Sequence, residues 1–400
     1  MTYQAILVAS LVLLLAFGIE RLGRASGLPA VIVLIVVGLV AKPLFSYLGI
    51  TLNGLQTAVP ILGTVGLVLI VLEGALDIEL KPDRIRAATG AMALAVGGFV
   101  VCATAFTLAV SALLPLTLFQ ATILSIPFAV ISSAVAIPSS HFLPPAGREF
   151  VVYETSLSDI IGVLVFFALL NSDGSFGGAL RNLVGGGLLS LFLSIVFSLG
   201  LVLVLMRIDG HIRFIPLLAG LFGLYAAGKL LHLSPLIMVL LFGLALNNPT
   251  LITRWRPLRG WMDATYEPTL HGFKVLVLEL TFAVRGFFFI LLGYWTDLST
   301  LVMPQAWLAA ALVLLVVYGS RSLMLRAGRH ALASALTWVA PRGLITVLLF
   351  LEAKEALSIP DYLEGAVVLI VLVSAAAIAL ARSRAPVAGV TTPPPEGNPT

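Results

Sequence analysis

Long apolar runs alternate with short polar connections from one end of the chain to the other. Each run approaches or exceeds the roughly 18 residues a helix needs to cross a bilayer. They predict thirteen helices, at about residues 3–20, 28–48, 56–73, 86–113, 119–140, 149–171, 178–206, 212–230, 233–247, 268–295, 304–327, 334–353 and 361–382. The short two-residue alternation of a membrane β-barrel is absent. The pattern therefore predicts an all-α polytopic membrane protein. In the first run, MTYQAILVASLVLLLAFGIERLGR, the basic residues Arg21 and Arg24 follow the apolar stretch, so it reads as a retained helix and not as a leader. Residues 384–400 are Pro-rich and polar and are expected to form a disordered tail. Residues 1–383 then make one transmembrane domain.

Composition and charge refine this picture. Of the 400 residues, 60% are hydrophobic and 10% charged, where soluble domains are about a quarter charged. With the N-terminus outside, 16 of the 23 Lys and Arg residues fall in inner connections or at inner helix ends, among them Arg21, Arg24, Arg84, Arg148, Arg256 and Arg382. Only Lys42, Arg181, Lys229 and Lys354 fall outside, and Lys274, Arg285 and Arg342 lie within helices. This asymmetry predicts an outside N-terminus and a cytoplasmic C-terminus. The segment RWRPLRGWMDATYEP reads as an inner surface helix or a basic loop. The formal charge of +4 belongs to these loops and does not point to nucleic acid. Cys102 is the only cysteine, so no disulfide forms within the chain.

An odd helix count permits two inverted six-helix repeats around the seventh helix. The fifth and twelfth helices then correspond. The fifth, ATILSIPFAVISSAVAIPSSHFLPP, carries Pro127 and Pro138 around Ser132 and Ser133; the twelfth carries Pro341-Arg342-Gly343 at its middle. Proline removes a backbone donor and breaks the helical ladder. Interrupted helices at matching positions of two halves point to a transport site.

The sixth helix holds the densest chemistry. In REFVVYETSLSDIIGVLVFFALL, Glu154 and Asp159 lie in an otherwise apolar segment. With Glu154 at the origin of a helical wheel, Ser158 falls at about 40°, Gly162 at about 80°, Thr155 at about 100° and Asp159 at about 140°. These five residues form one polar or small stripe. Asp159 is near the middle of its helix, where a charge costs at least about 2.5–3.5 kcal/mol unless paired, solvated or neutralised by a proton. A hard cation such as Na⁺ prefers carboxylate, hydroxyl and carbonyl oxygens. A midplane acid among such ligands can exchange a cation for a proton. Arg342, at the break in the twelfth helix, either neutralises Glu154 or caps the carbonyls freed there. Glu279 and Arg285 compensate each other, or Arg285 reaches the core; six residues apart, they are not direct helical neighbours. No phosphate loop, HExxH or GxSxG motif is present, so no nucleotide or other cofactor is expected.

Four stretches, VLEGALDIEL, YETSLSDIIGVLVF, LTFAVRGFFFILLG and WVAPRGLITVLL, resemble in order the motifs of the monovalent cation/proton antiporter superfamily, in its sodium/proton exchanger branch with the NhaA-type fold. The resemblance covers the chain to about Ser383. It implies a dimerisation part of about helices 1–3 and 8–10, a core of about helices 4–6 and 11–13, alternating access and a homodimer in the lipid bilayer. It assigns Asp159 as the ion- and proton-binding acid and Thr155 as a hydroxyl ligand. Glu154 becomes a supporting glutamate paired with Arg342, and Arg321 a further basic residue of the core. Two positions depart from the branch. Ser158 stands where it has Asn, and Ser132-Ser133 replace its Thr-Asp, as in the potassium-efflux branch.

The function expected is electroneutral exchange of Na⁺, with K⁺ or Li⁺ as alternatives, for H⁺ in a prokaryotic inner membrane, serving pH homeostasis. The ion is expected at Asp159 with Ser158, Thr155, Glu154, Ser132 and Ser133 around it, and with Arg342, Arg285 and Arg321 compensating charge. A transport-inactive membrane sensor of the same fold is the first rival. An intramembrane hydrolase using Ser158 or Ser133 is the second, and it lacks a base at that depth.

Overall fold

The computed structural model describes residues 2–26, 29–47, 55–77, 82–181, 184–185, 192–193, 195–197, 200, 214–230, 235–249 and 266–384. Sixteen helices and no strand occur among the described residues. They are α1 (Thr2–Ser26), α2 (Ala30–Tyr47), α3 (Leu55–Asp77), α4 (Pro82–Leu113), α5 (Leu118–Ala129), α6 (Ser133–Ser139), α7 (Pro145–Leu170) and α8 (Phe176–Arg181), then α9 (Phe214–Leu230), α10 (Pro235–Asn247), α11 (Tyr266–Trp295), α12 (Leu298–Val302), α13 (Pro304–Ala327), α14 (Ala333–Leu336), α15 (Leu344–Ala356) and α16 (Tyr362–Arg384). Seven spans among the described residues are long and apolar enough to cross a membrane, with α5 and α6 together making one of them. Most of the expected seventh helix, the basic connection at 250–265 and the tail at 385–400 lie outside the described residues.

The fifth and twelfth expected helices are both interrupted. The fifth is split into α5 and α6 by residues 130–132, and the twelfth into α14 and α15 by residues 337–343. At the first break, Val130 and Ser132 have extended backbone. Unwinding there strands the amides of residues 131–133, and a buried amide without an acceptor is costly. All three find tertiary acceptors. Ile131 N donates to Ser158 Oγ at 3.0 Å, Ser132 N to Pro341 O at 2.9 Å, and Ser133 N to Asp159 Oδ2 at 3.0 Å. The two breaks therefore meet at Ser132–Pro341, and α7 supplies the remaining acceptors. Gly162 makes room for this arrangement, since a Cβ there would overlap the Val130 side chain.

The helices pack in two sets. Helices α1, α2, α3, α9, α10 and α11 make their closest contacts with one another. Helices α4 to α8 and α12 to α16 do the same. In the first set, α2 and α11 touch backbone to backbone at Gly38 and Gly293, where side chains would overlap the Ile290 and Ile35 carbonyls. Small residues allow such close approach in membrane helices. Between the sets the packing is thinner, chiefly α2 on α16, α3 on α7, α10 on α7, and α15 on both α3 and α11.

Candidate functional site

Helix α7 begins with Pro145 at its first position, where a missing N–H costs nothing. It buries Glu154, Thr155, Ser156, Ser158 and Asp159. Asp159 is 6% exposed. Its Oδ2 accepts from the first amide of α6, and its Oδ1 is buried without a hydrogen-bond partner among the described residues. A buried carboxylate with one oxygen satisfied and one free is a poor end state but a ready ligand.

The crossing of the breaks gathers Asp159, Ser158, Ser132, Ser133 and Arg342. Arg342 is 1% exposed. Its Nε donates to Phe128 O at 2.8 Å, its Nη1 to Ala340 O at 3.2 Å, and its backbone N to Ser374 Oγ at 2.9 Å. It thus caps a carbonyl of the last turn of α5, which the break leaves without a helical donor. Pairing of Arg342 with Glu154 does not occur. Arg321 of α13 holds Glu154 instead, with Nη1 donating to Oε1 and Nη2 donating to Oε2 at 2.7 Å. Arg321 Nε also donates to Leu336 O at 2.7 Å. The reason is placement. Glu154 precedes Asp159 by five residues, or roughly 7.5 Å of helix rise, and α13 passes that level, whereas Arg342 is anchored at the crossing.

Thr155 is buried, but its hydroxyl donates to Val151 O of its own helix at 2.8 Å. Ser158 Oγ accepts from Ile131 N. Arg285 does not pair with Glu279, which is exposed. Its Nη1 donates to Ala134 O of α6 at 3.1 Å. Glu154 pairs with Arg321, Asp159 lies within electrostatic reach of Arg342 and Glu73, and Glu73 lies within reach of Arg285.

Two residues outside the expected site set belong here, Ser156 of α7 and Glu73 of the stretch VLEGALDIEL on α3. Ser156 lies one helical turn before Asp159, and its Oγ is buried without a partner among the described residues. It faces α3, since a Cβ on Gly74 would lie 4.0 Å from that oxygen. Glu73, next to Gly74, lies within electrostatic reach of Asp159 and Arg285 and beside Thr281. The signal for Glu73 was an acid in an apolar run, of the kind that singled out Asp159. For Ser156 it was the three-residue spacing from Asp159.

Together, α7 and the crossing offer an incoming cation one free carboxylate oxygen, nearby hydroxyls and unwound backbone. Such a donor set suits a hard monovalent cation or a proton. Oxygen ligands near a broken-helix crossing are also what a transporter places at its binding site.

Residues 6–384 match the family model described as "Sodium/hydrogen exchanger, transmembrane". No match was found among curated proteins. Among solved structures, the chain is similar to the sodium proton antiporter MjNhaP1 from Methanocaldococcus jannaschii at pH 8, with a TM-score of 0.71, 19% identity, and coverage of 96% of this chain and 97% of that one. An electron-microscopy structure of MjNhaP1 matches with a TM-score of 0.66 and 18% identity over 95% of this chain and 94% of that one. At these identities the likeness speaks to the fold.

Proposed function

The chain belongs to the family of transmembrane sodium/hydrogen exchangers, and on that footing we propose that Asp159 carries a monovalent cation in one half of the cycle and a proton in the other. The protein is an integral membrane cation/proton antiporter. The observation that carries the assignment is the free, buried Oδ1 of Asp159 at the meeting point of two broken helices. Either a cation or a proton satisfies that oxygen, and the two compete for it. Ser156, Ser133 and Ser132 supply further oxygens, and Ser158 and Thr155 hold the local backbone. Glu154 is a structural anion locked by Arg321, and Arg342 is a structural cation at the crossing.

One exchanging acid implies one proton per cation and electroneutral turnover. Na⁺ is the cation the family membership favours, with K⁺ and Li⁺ as competitors to be tested. The set containing α4 to α7 and α12 to α16 is the moving core. The set containing α1 to α3 and α9 to α11 is the scaffold, and it forms the contact of a homodimer. Thin packing between the sets supports this division, because large motion is easiest where little apolar surface is shared. The N-terminus lies outside and the C-terminus in the cytoplasm of a prokaryotic cell, where exchange serves pH homeostasis. The chain works as a carrier and not as an enzyme.

Cation-dependent stabilisation tests the assignment without transport. A ligand that binds only the folded form at 100 times its Kd stabilises by about 2.7 kcal/mol. Titration with Na⁺, Li⁺ and K⁺ at constant ionic strength should raise the Tm of the purified protein, and most for the transported ion. Asp159→Asn should abolish the cation-specific rise. An undiminished rise in that variant would place the cation elsewhere. A transport-inactive sensor would bind without exchanging, and no feature of the site favours it.

A further inference from the structure

Between the two helix sets lies a cavity of about 270 Å³. It reaches the surface at one end of the bundle, where exposed His141 and Arg382 line it near the ends of α6 and α16. Along α6 its wall includes Ala134, Val135 and Pro138 but neither Ser133 nor Asp159. The cavity therefore stops one residue short of the amide that anchors Asp159.

Arg285 stands at that closed end. It lines the cavity, and its guanidinium donates to Ala134 O across the gap between α11 and α6. These helices belong to different sets and scarcely touch otherwise. A fixed positive charge beside a cation path repels the cation as well as blocking it. Glu73 of α3 lies within electrostatic reach of Arg285.

We propose that Arg285 is the gate between this cavity and the ion site: bonded to Ala134 O it latches the two helix sets and seals Asp159, and release of that bond opens the path. The latch couples access to movement of the sets, since Ala134 O cannot shift relative to α11 while the bond holds. This assignment rests on the antiporter reading of Asp159, but its test does not require turnover.

In a Cys102→Ala background, Ser133→Cys places a thiol just past the gate. A membrane-impermeant thiol reagent is applied separately to each face of oriented vesicles, with and without Arg285→Gln. The latch is one charge-assisted hydrogen bond, whose loss shifts an open-to-closed ratio on the order of tenfold. Labelling from the cavity's face should therefore rise about tenfold in the Arg285→Gln variant, with the rate from the opposite face unchanged. An unchanged rate from the cavity's face would overturn the gate, as would equal acceleration from both faces, which signals general loosening. If Arg285→Gln does not fold, Arg285→Lys keeps the charge, replaces the guanidinium donor that reaches Ala134 O and should show the same one-sided rise in smaller measure. Labelling that rises as stated while Asp159→Asn still exchanges ions would preserve the gate and reject the Asp159 assignment.

Discussion

Arg321 and Glu154, 167 residues apart in sequence, form a two-pronged ion pair in the interior, with the arginine 5% exposed and the glutamate fully buried. The pair ties α13 to α7 and engages both carboxylate oxygens of Glu154. Its forked geometry is the strong form of such contacts. Removing one partner leaves the other charged and alone, at a cost of about 3–5 kcal/mol. Glu154→Gln and Arg321→Gln should each lower thermal stability in detergent by that order. The double variant should recover much of the loss. Pairing Glu154→Gln with Arg342→Gln should instead give nearly additive losses. Recovery with Arg342 and additivity with Arg321 would reverse the partner assignment.

Close contact at the crossing makes a second prediction. A Cβ at Gly343 would sit 2.8 Å from Ser132 Cβ, inside normal contact distance. Overpacking of this kind costs about 1–3 kcal/mol. Gly343→Ala should lower the Tm and, because Ser132 adjoins Ser133, weaken cation affinity. Gly174, whose φ of 79° places it in an open turn with no neighbour near its absent side chain, tests the alternative that any glycine change is harmful. Gly174→Asn, which tolerates that backbone, should leave affinity unchanged. Equal loss of affinity in both variants would remove the special status of the crossing.

The crossing was partly legible in the sequence. Pro341 lies in the second break itself, whereas Pro127 and Pro138 lie inside α5 and α6 on either side of residues 130–132, so they flag the first broken helix but not the position of its break. The stripe on α7 was legible because helical geometry follows from spacing. Partner choice was not. A wheel gives the direction in which Glu154 points but not which arginine the fold brings there, and both Arg321 and Arg342 had the right chemistry. Ser156 was passed over because it falls outside the arc from Glu154 to Asp159, and only the packing of α3 on α7 shows that this face meets Gly74. Arg285 was placed on its helix, and one of the two roles weighed for it was reaching the core; its bond to Ala134 O depends on tertiary distance, which no spacing rule supplies.

Orientation rests on charge asymmetry and is directly measurable. Arg148, near the start of α7, and Asp173, just beyond its end, are both exposed and on opposite sides of one span. In a Cys102→Ala background, Arg148→Cys should label only from the cytoplasmic side and Asp173→Cys only from outside. The reverse pattern would invert the topology. Labelling of both from one side would break α7 as a transmembrane span.

The most direct test of the account is cation/proton exchange in proteoliposomes across a pH series, with the membrane potential clamped and then released. If cation and proton compete for Asp159, each unit fall in pH on the acid side should raise the apparent cation constant about tenfold, and it should level off on the alkaline side. Releasing the clamp should leave the rate unchanged, and Asp159→Asn should exchange nothing. Exchange that survives Asp159→Asn, or a cation constant indifferent to pH, would contradict the central claim.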